Sequence, residues 1–109
     1  MFEPSLSVYN TARDNLKRHE VTINNLALGK DIGKSRFFIY GNSEISSLHE
    51  NDIITKTETR LVDTTTIDAY CNLKKIDRIN YLKIDTEGHD FFVLKGAEKM
   101  LNDQKINCI

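Results

Sequence analysis

One compact apolar segment constrains the fold of this chain more than any other feature. The run from Ile79 to Ile84 is short and mostly apolar, and it stops at the polar turn Asp85–Gly88. Such a run is typical of a buried strand. Apolar residues then recur every three to four positions, which predicts a helix from about Gly88 to Asn102.

The amino-terminal end has the same order of strand, acidic residue and helix. Glu3 ends a first short strand, and Pro4 suits the entry to a helix because its missing N–H is not needed there. Apolar spacing predicts an amphipathic helix from about Ser5 to His19, with Ser5 as a candidate N-cap. Alternation of strands and helices predicts an α/β fold with a largely parallel sheet.

The remaining segments carry weaker patterns of alternation, turn residues and caps. β-branched alternation favours strands, and polar stretches favour surface loops. The predicted elements are strands at Val21–Ala27 and Arg36–Tyr40, a loop over Gly41–Asp52 that could cover a site, an exposed edge strand at Ile53–Leu61, a short helix capped by Asp63–Thr66 and ending near Lys74–Lys75, and a further strand beginning at Ile106.

Composition excludes several classes of protein. The 109 residues suffice for one small domain, and 15 Lys and Arg against 16 Asp and Glu give a net charge of −1, which argues against a nucleic-acid-binding surface. No apolar run is long enough to span a membrane and no secretory pattern is present, which predicts a cytoplasmic protein. Cys71 and Cys108 are predicted to be free thiols. No feature specifies an oligomeric state.

Two acidic strand ends are the candidate site. In open parallel sheets ligands bind beyond the carboxyl ends of the strands, where Glu3 and Asp85 are predicted to lie. A carboxylate in the position of Glu3 can accept hydrogen bonds from ribose hydroxyls, or it can simply favour the start of the following helix. Asp85 and Glu87 could be acidic residues at the start of the following helix, or they could bind a divalent cation, for which two carboxylates are a weak signal. His89 could be a general base or a polar surface residue.

Several short blocks occur together in one order along the chain, and their combination is more specific than any one of them. The blocks are Phe2-Glu3-Pro4, Tyr9 with Asn15-Leu16, Asn25-Leu26-Ala27-Leu28-Gly29, Ser46-Ser47-Leu48, Leu82-Lys83-Ile84-Asp85-Thr86-Glu87-Gly88-His89-Asp90, and Val93-Leu94-Lys95-Gly96-Ala97. This set resembles the FkbM-type methyltransferase family. The resemblance implies a Rossmann-like class I methyltransferase sheet and S-adenosylmethionine as cofactor.

The resemblance also implies roles for individual residues. The implied cofactor-binding residues are Glu3 at the ribose, Asn25, Leu26 and Ala27 beside the adenine, and Asp85 near the sulfonium. The implied catalytic set is Asp85, Glu87 and His89, without a choice of base among them. The implied reaction is methylation of a hydroxyl oxygen on a sugar or other small molecule, with no metal, nucleic acid or membrane partner. Gly96 is expected to serve packing.

The resemblance also implies that elements of the fold lie outside this chain. Family members begin with a strand and a glycine-rich turn, and no such turn occurs here. The expectation is therefore a partial methyltransferase domain over residues 1–109, truncated at both ends, running from the second strand to the start of the fifth and incomplete as an enzyme. Two alternatives remain open: a non-catalytic remnant or interaction module of the same fold, and a metal-dependent hydrolase or phosphoryl-transfer domain using Asp85 and Glu87.

Overall fold

The structure is a computed structural model that describes residues 1–40, 46–48 and 56–109. Its first helix, α1, spans Leu6–Leu16, with Ser5 at the N-cap position. The predicted helix is therefore confirmed, but it ends three residues before His19. The apolar spacing stops at Leu16, and the charged residues that follow are exposed, so no packing supports a further turn.

Four strands form a mixed sheet rather than the largely parallel one predicted. They are β1 (Ala27–Leu28), β2 (Gly33–Tyr40), β3 (Ser46–Ser47) and β4 (Lys56–Thr65), in the spatial order β1-β4-β2-β3. Only β1 and β4 pair in parallel; β2 pairs antiparallel with β3 and β4. The prediction was wrong because β2 and β4 pair directly with each other in antiparallel, as do β2 and β3.

Two predictions for the middle of the chain need correction. β4 lies inside the sheet rather than at its edge, because β1 pairs with one side of it and β2 with the other. Its exposed face was predicted correctly, since Leu61 is 70% exposed. In the predicted loop Gly41–Asp52, Ser46–Ser47 instead forms β3 against β2. The remainder of that loop, apart from Leu48, lies outside the described residues, as does Ile53 to residue 55 of the predicted strand.

Besides the β1–β4 pair, the parallel pairings among the described residues are isolated bridges. Phe2 pairs with Asn24, and Ile79 pairs with Ile106, both in parallel. The strand predicted over Val21–Ala27 is thus reduced to the bridge at Asn24 and to the start of β1. The run Ile79–Ile84 is not a buried strand, because Tyr81 is 67% exposed. Among the described residues this run has hydrogen-bonded backbone neighbours on one side, at residues 105–108, which leaves its other side open.

In the described part of the chain three helices follow β4. In α2 (Ile67–Lys74) the Thr66 hydroxyl oxygen accepts a hydrogen bond from the Ala69 N–H at 3.0 Å, which confirms the predicted cap. The single helix predicted over residues 88–102 was wrong: α3 (Asp90–Lys95) and α4 (Glu98–Asn102) are separated by Gly96 and Ala97. The helix is interrupted where the Gly96 carbonyl accepts a hydrogen bond from the Asp68 N–H at 2.9 Å.

The core lies between the helices and the strand segments. Its buried members come from α2, α3, α4 and the break between α3 and α4. They are Ile67, Cys71, Val93, Ala97 and Met100. Half-buried side chains from the strand segments pack on it: Leu28, Ile79, Leu82, Ile84 and Ile106. Both cysteines are free as predicted, with Cys71 buried and Cys108 exposed. Within the described ranges no helix is long and apolar enough to cross a membrane.

Candidate functional site

A groove of about 730 Å³ brings the two acidic strand ends to one place. Its lining is mostly apolar and comes from the amino-terminal segment, β1, α2 and the segment around Ile84. Among the lining residues are Phe2, Glu3, Leu26, Ala27, Ile67, Tyr70, Leu82, Asp85 and His89. A concave, largely apolar surface with a few polar groups is the usual form of a small-molecule site.

Glu3 is the half-buried acid of the groove lining. Its Oε1 atom accepts a hydrogen bond from the Ser5 N–H at 2.7 Å, because the chain turns into α1 directly after Pro4. Desolvation raises the pKa of Glu3, and the hydrogen bond from Ser5 offsets only part of this effect. A partly desolvated carboxylate is well suited to accept hydrogen bonds from ligand hydroxyl groups, which would replace the water it has lost.

The predicted residues of the next segment divide into two groups. Leu26 and Ala27 line the groove, and Ala27 is only 3% exposed. The side chain of Asn25 instead holds the backbone next to Glu3, because its Nδ2 atom donates to the carbonyl oxygens of Glu3 at 2.8 Å and Pro4 at 3.1 Å. Asn25 is not among the described residues that line the groove. The structure thus places it behind Glu3.

Asp85 lies on the groove together with a basic neighbour that the sequence reading did not single out. Lys83 donates from Nζ to Asp85 Oδ2 at 2.8 Å, and both side chains are more than half exposed. The two side chains are two positions apart on an extended segment and therefore lie on the same side of it. The hydrogen bond and the charge of Asp85 raise the pKa of Lys83. The Asp85 carboxylate therefore carries its own counter-charge.

The side chains of the turn after Asp85 differ in whether they line the groove. Glu87 and Gly88 have positive φ angles of 49° and 94°, which reverse the chain before α3. His89 is half-buried and lines the groove, and its ring stacks on Phe92 with the centroids 5.0 Å apart. Glu87 is exposed and is not one of the groove-lining residues in the described structure. Of the three predicted catalytic residues, Asp85 and His89 line the groove.

An aromatic pair in the groove was missed by the sequence reading. The rings of Phe2 and Tyr70 meet edge to face at a centroid distance of 4.7 Å, and the Tyr70 hydroxyl lies 3.3 Å from Asn24 Oδ1. These residues are far apart in sequence, so no local pattern connects them. The periodicity of α2 shows only that Tyr70 shares a helical face with Ile67.

The structure gives no support to a metal site at Asp85 and Glu87. The part of the chain that the structure describes contains no group of three or more His, Cys, Asp or Glu side chains placed to hold an ion. In addition, Asp85 pairs with Lys83, whereas Glu87 lies away from the groove. A divalent cation such as Mg²⁺ or Ca²⁺ needs six or more oxygen ligands, some of which are water.

Fold and groove together define a class of protein. A small α/β domain with two acidic side chains on a mostly apolar groove is the form expected of a protein that binds a small molecule. The family model described as the methyltransferase FkbM domain matches residues 1–109. The chain therefore belongs to the FkbM methyltransferase family. Comparison with curated proteins and with solved structures gives no match.

Proposed function

We propose that this domain binds S-adenosylmethionine in the groove and methylates a hydroxyl oxygen of a sugar or other small molecule. The observation that carries the proposal is the placement of Glu3 and of the Asp85–His89 turn on the same apolar groove. Family membership supports the transfer of a methyl group. The groove supports a small ligand with polar groups at separate points.

The Glu3 end of the groove fits the nucleoside part of the cofactor. Ribose offers two neighbouring hydroxyl donors, and the half-buried carboxylate of Glu3 is an acceptor that has lost part of its hydration. Leu26 and Ala27 supply apolar surface beside it, as the flat face of adenine requires. Asn25 contributes indirectly, because it fixes the carbonyl groups of Glu3 and Pro4.

The part of the groove lined by Asp85 and His89 fits the methyl acceptor. When bound, the cofactor supplies a methyl carbon activated by its sulfonium, so the chain has to align the hydroxyl and exclude water. We assign proton removal to His89, because its half-buried ring lies on the groove and histidine ordinarily titrates near neutral pH. Asp85, held by Lys83, orients the acceptor hydroxyl.

Calorimetric titration with S-adenosylhomocysteine tests the cofactor site. We expect Glu3→Gln to weaken binding by about tenfold or more, because a hydrogen bond to a charged group contributes about 1.5–3 kcal/mol. Glu20→Gln is the matched control, since Glu20 is exposed and away from the groove. The cofactor site is refuted if both variants bind as the unmodified chain does, or if the unmodified chain does not bind.

Transfer of labelled methyl groups tests the acceptor end. The assay uses the full natural chain, labelled S-adenosylmethionine and a panel of monosaccharides and small alcohols. We expect His89→Ala to lower kcat by about 100-fold with little change in cofactor affinity, as is typical for loss of a general base. His19→Ala is the control, because His19 is exposed just beyond α1. Equal rates for the two variants would exclude His89 as the base.

A further inference from the structure

We infer that Asp90 is a positioning residue that holds the turn from Asp85 to His89 in the shape that puts both of these side chains on the groove. This inference rests on the proposed function, since it concerns how the acceptor end of the same groove is organised. Asp90 itself is not among the groove-lining residues that the structure describes. It therefore acts through its neighbours.

The Asp90 carboxylate closes the turn by several hydrogen bonds. Its Oδ1 atom accepts from the Thr86 N–H at 3.3 Å and from the Thr86 hydroxyl at 3.2 Å. Desolvation acts to raise the pKa of Asp90, but hydrogen bonds from the N–H groups of Asp90, Thr86 and Gly88 and from the Thr86 hydroxyl outweigh it and lower the pKa. The Asp90 carboxylate thus joins the first residue of α3 to Thr86 at the start of the turn.

The turn needs such a fixed point because its backbone is unfavourable by itself. Glu87 adopts a φ of 49°, which residues with a side chain rarely adopt, and Gly88 adopts 94°. Conformations of this kind persist only where surrounding contacts determine them. A backbone hydrogen bond within the turn, from the His89 N–H to the Thr86 carbonyl oxygen, is long at 3.3 Å.

The shape of the turn determines how the Asp85 and His89 side chains are placed relative to each other. Asp85 comes immediately before Thr86, and His89 immediately before Asp90, so the two ends that the carboxylate ties together carry the two groove side chains. If the hydrogen bonds from Thr86 to Asp90 are removed, Glu87 can return to a more common φ, and the distance between Asp85 and His89 changes. A displacement of about 1 Å at a reacting group can lower a rate about 100-fold.

The test compares Asp90→Ala and Asp90→Asn with Thr86→Val, which keeps the shape of Thr86 but removes its hydroxyl. NMR spectra of the full chain are recorded at a temperature where each variant is folded, with and without S-adenosylhomocysteine. The Glu87 coupling between the amide and α protons reports φ. The Ala27 amide reports the cofactor end, and the His89 ring signals report the acceptor end.

We expect Asp90→Ala to change the Glu87 coupling and to remove the ligand response of His89, while the Ala27 amide still responds. Asp90→Asn and Thr86→Val should give intermediate changes, because each variant retains some of the hydrogen bonding between residues 86 and 90. Affinity for S-adenosylhomocysteine should fall by about tenfold or less, since the Glu3 end is intact. An Asp90→Ala chain that keeps the coupling and the His89 response, with only a lower unfolding midpoint, would overturn the inference.

The same experiment separates this inference from the proposed function. Absence of any response at Ala27 in the unmodified chain would contradict the cofactor site. The Glu87 coupling in the unliganded chains would still show whether Asp90 fixes the turn. A changed coupling in Asp90→Ala supports the inference in that case, and an unchanged one refutes it.

Discussion

The backbone of Gly96 packs directly against the carbonyl oxygen of Gly29, with no space between them for a side chain. A Cβ atom on Gly96 would overlap that oxygen and would lie 3.2 Å from the Cβ atom of Thr66. Gly96 separates α3 from α4, and Gly29 follows β1. This contact therefore fixes the distance between the helices and the edge strand beside the groove.

Gly96→Ala should destabilise the fold through this contact. The backbone φ of Gly96 is −73°, which alanine adopts without strain, so the cost arises from the overlap alone. Overpacking of this kind costs about 1–3 kcal/mol. Urea unfolding measures it, with Asn102→Ala at an exposed position as the control. A Gly96→Ala chain as stable as the control would mean that the helices can move away from β1 at little cost.

The interruption between α3 and α4 also depends on Asp68. Its two carboxylate oxygens accept hydrogen bonds from the N–H groups of Lys99 at 2.8 Å and Met100 at 3.0 Å, so a side chain from α2 caps the start of α4. Asp68→Ala should lower the free energy of unfolding by about 1–2 kcal/mol, as for the loss of other helix caps.

Asp77→Ala is the matched control for Asp68→Ala, because Asp77 is exposed and no hydrogen bond or ion pair of its side chain is present among the described residues. Thermal unfolding of the two variants compares them directly. A similar midpoint for both would show that water or another group accepts hydrogen bonds from the Lys99 and Met100 N–H groups equally well.

Local patterns predicted the elements whose contacts are local. The helix after Pro4 and the Thr66 cap were predicted because apolar spacing and capping residues act within a few positions. Glu3, Leu26, Ala27, Asp85 and His89 were named before the structure, and all of them line the groove. Their functional roles remain predictions.

Long-range contacts account for the elements that were predicted wrongly. The break at Gly96 requires Gly29 and Asp68, neither of which is near it in sequence. The exposure of Tyr81 depends on which strands lie beside its segment, and an apolar run does not reveal its neighbours. The interior position of β4 likewise follows from pairing with β1 and β2.

The two thiols should react at different rates. Cys108 is exposed, whereas Cys71 is buried, and burial followed by the nearby Asp68 charge raises the pKa of the Cys71 thiol. Because the thiolate is the reactive form, a disulfide reagent should modify Cys108 quickly and Cys71 only on unfolding. Reaction kinetics of Cys108→Ser and Cys71→Ser assign each phase. Rapid reaction of Cys71 in the folded chain would contradict its burial.

Glu3 should destabilise the fold at neutral pH because burial removes part of the hydration of its carboxylate. Desolvation raises the pKa of Glu3 above the ordinary value of 4.5. The protonated carboxyl group is therefore favoured in the folded state. Its contribution to the free energy of unfolding is fully present below pH 4.5 and is lost as the pH rises through the pKa of the folded state. Glu3→Gln stays uncharged and still accepts the Ser5 hydrogen bond, and should therefore be more stable than the unmodified chain at pH 7. The gain should be below about 1 kcal/mol, because solvent screens the half-exposed carboxylate.

Urea unfolding between about pH 3.5 and about pH 8 on the same pair of chains measures this effect, because that range brackets the ordinary glutamate pKa of 4.5. The stability difference should vanish below that value and grow as Glu3 ionises. Glu20→Gln should show no such trend, since Glu20 is exposed. A Glu3→Gln chain that is less stable than the unmodified chain at pH 7 would show that the Glu3 carboxylate stabilises the fold.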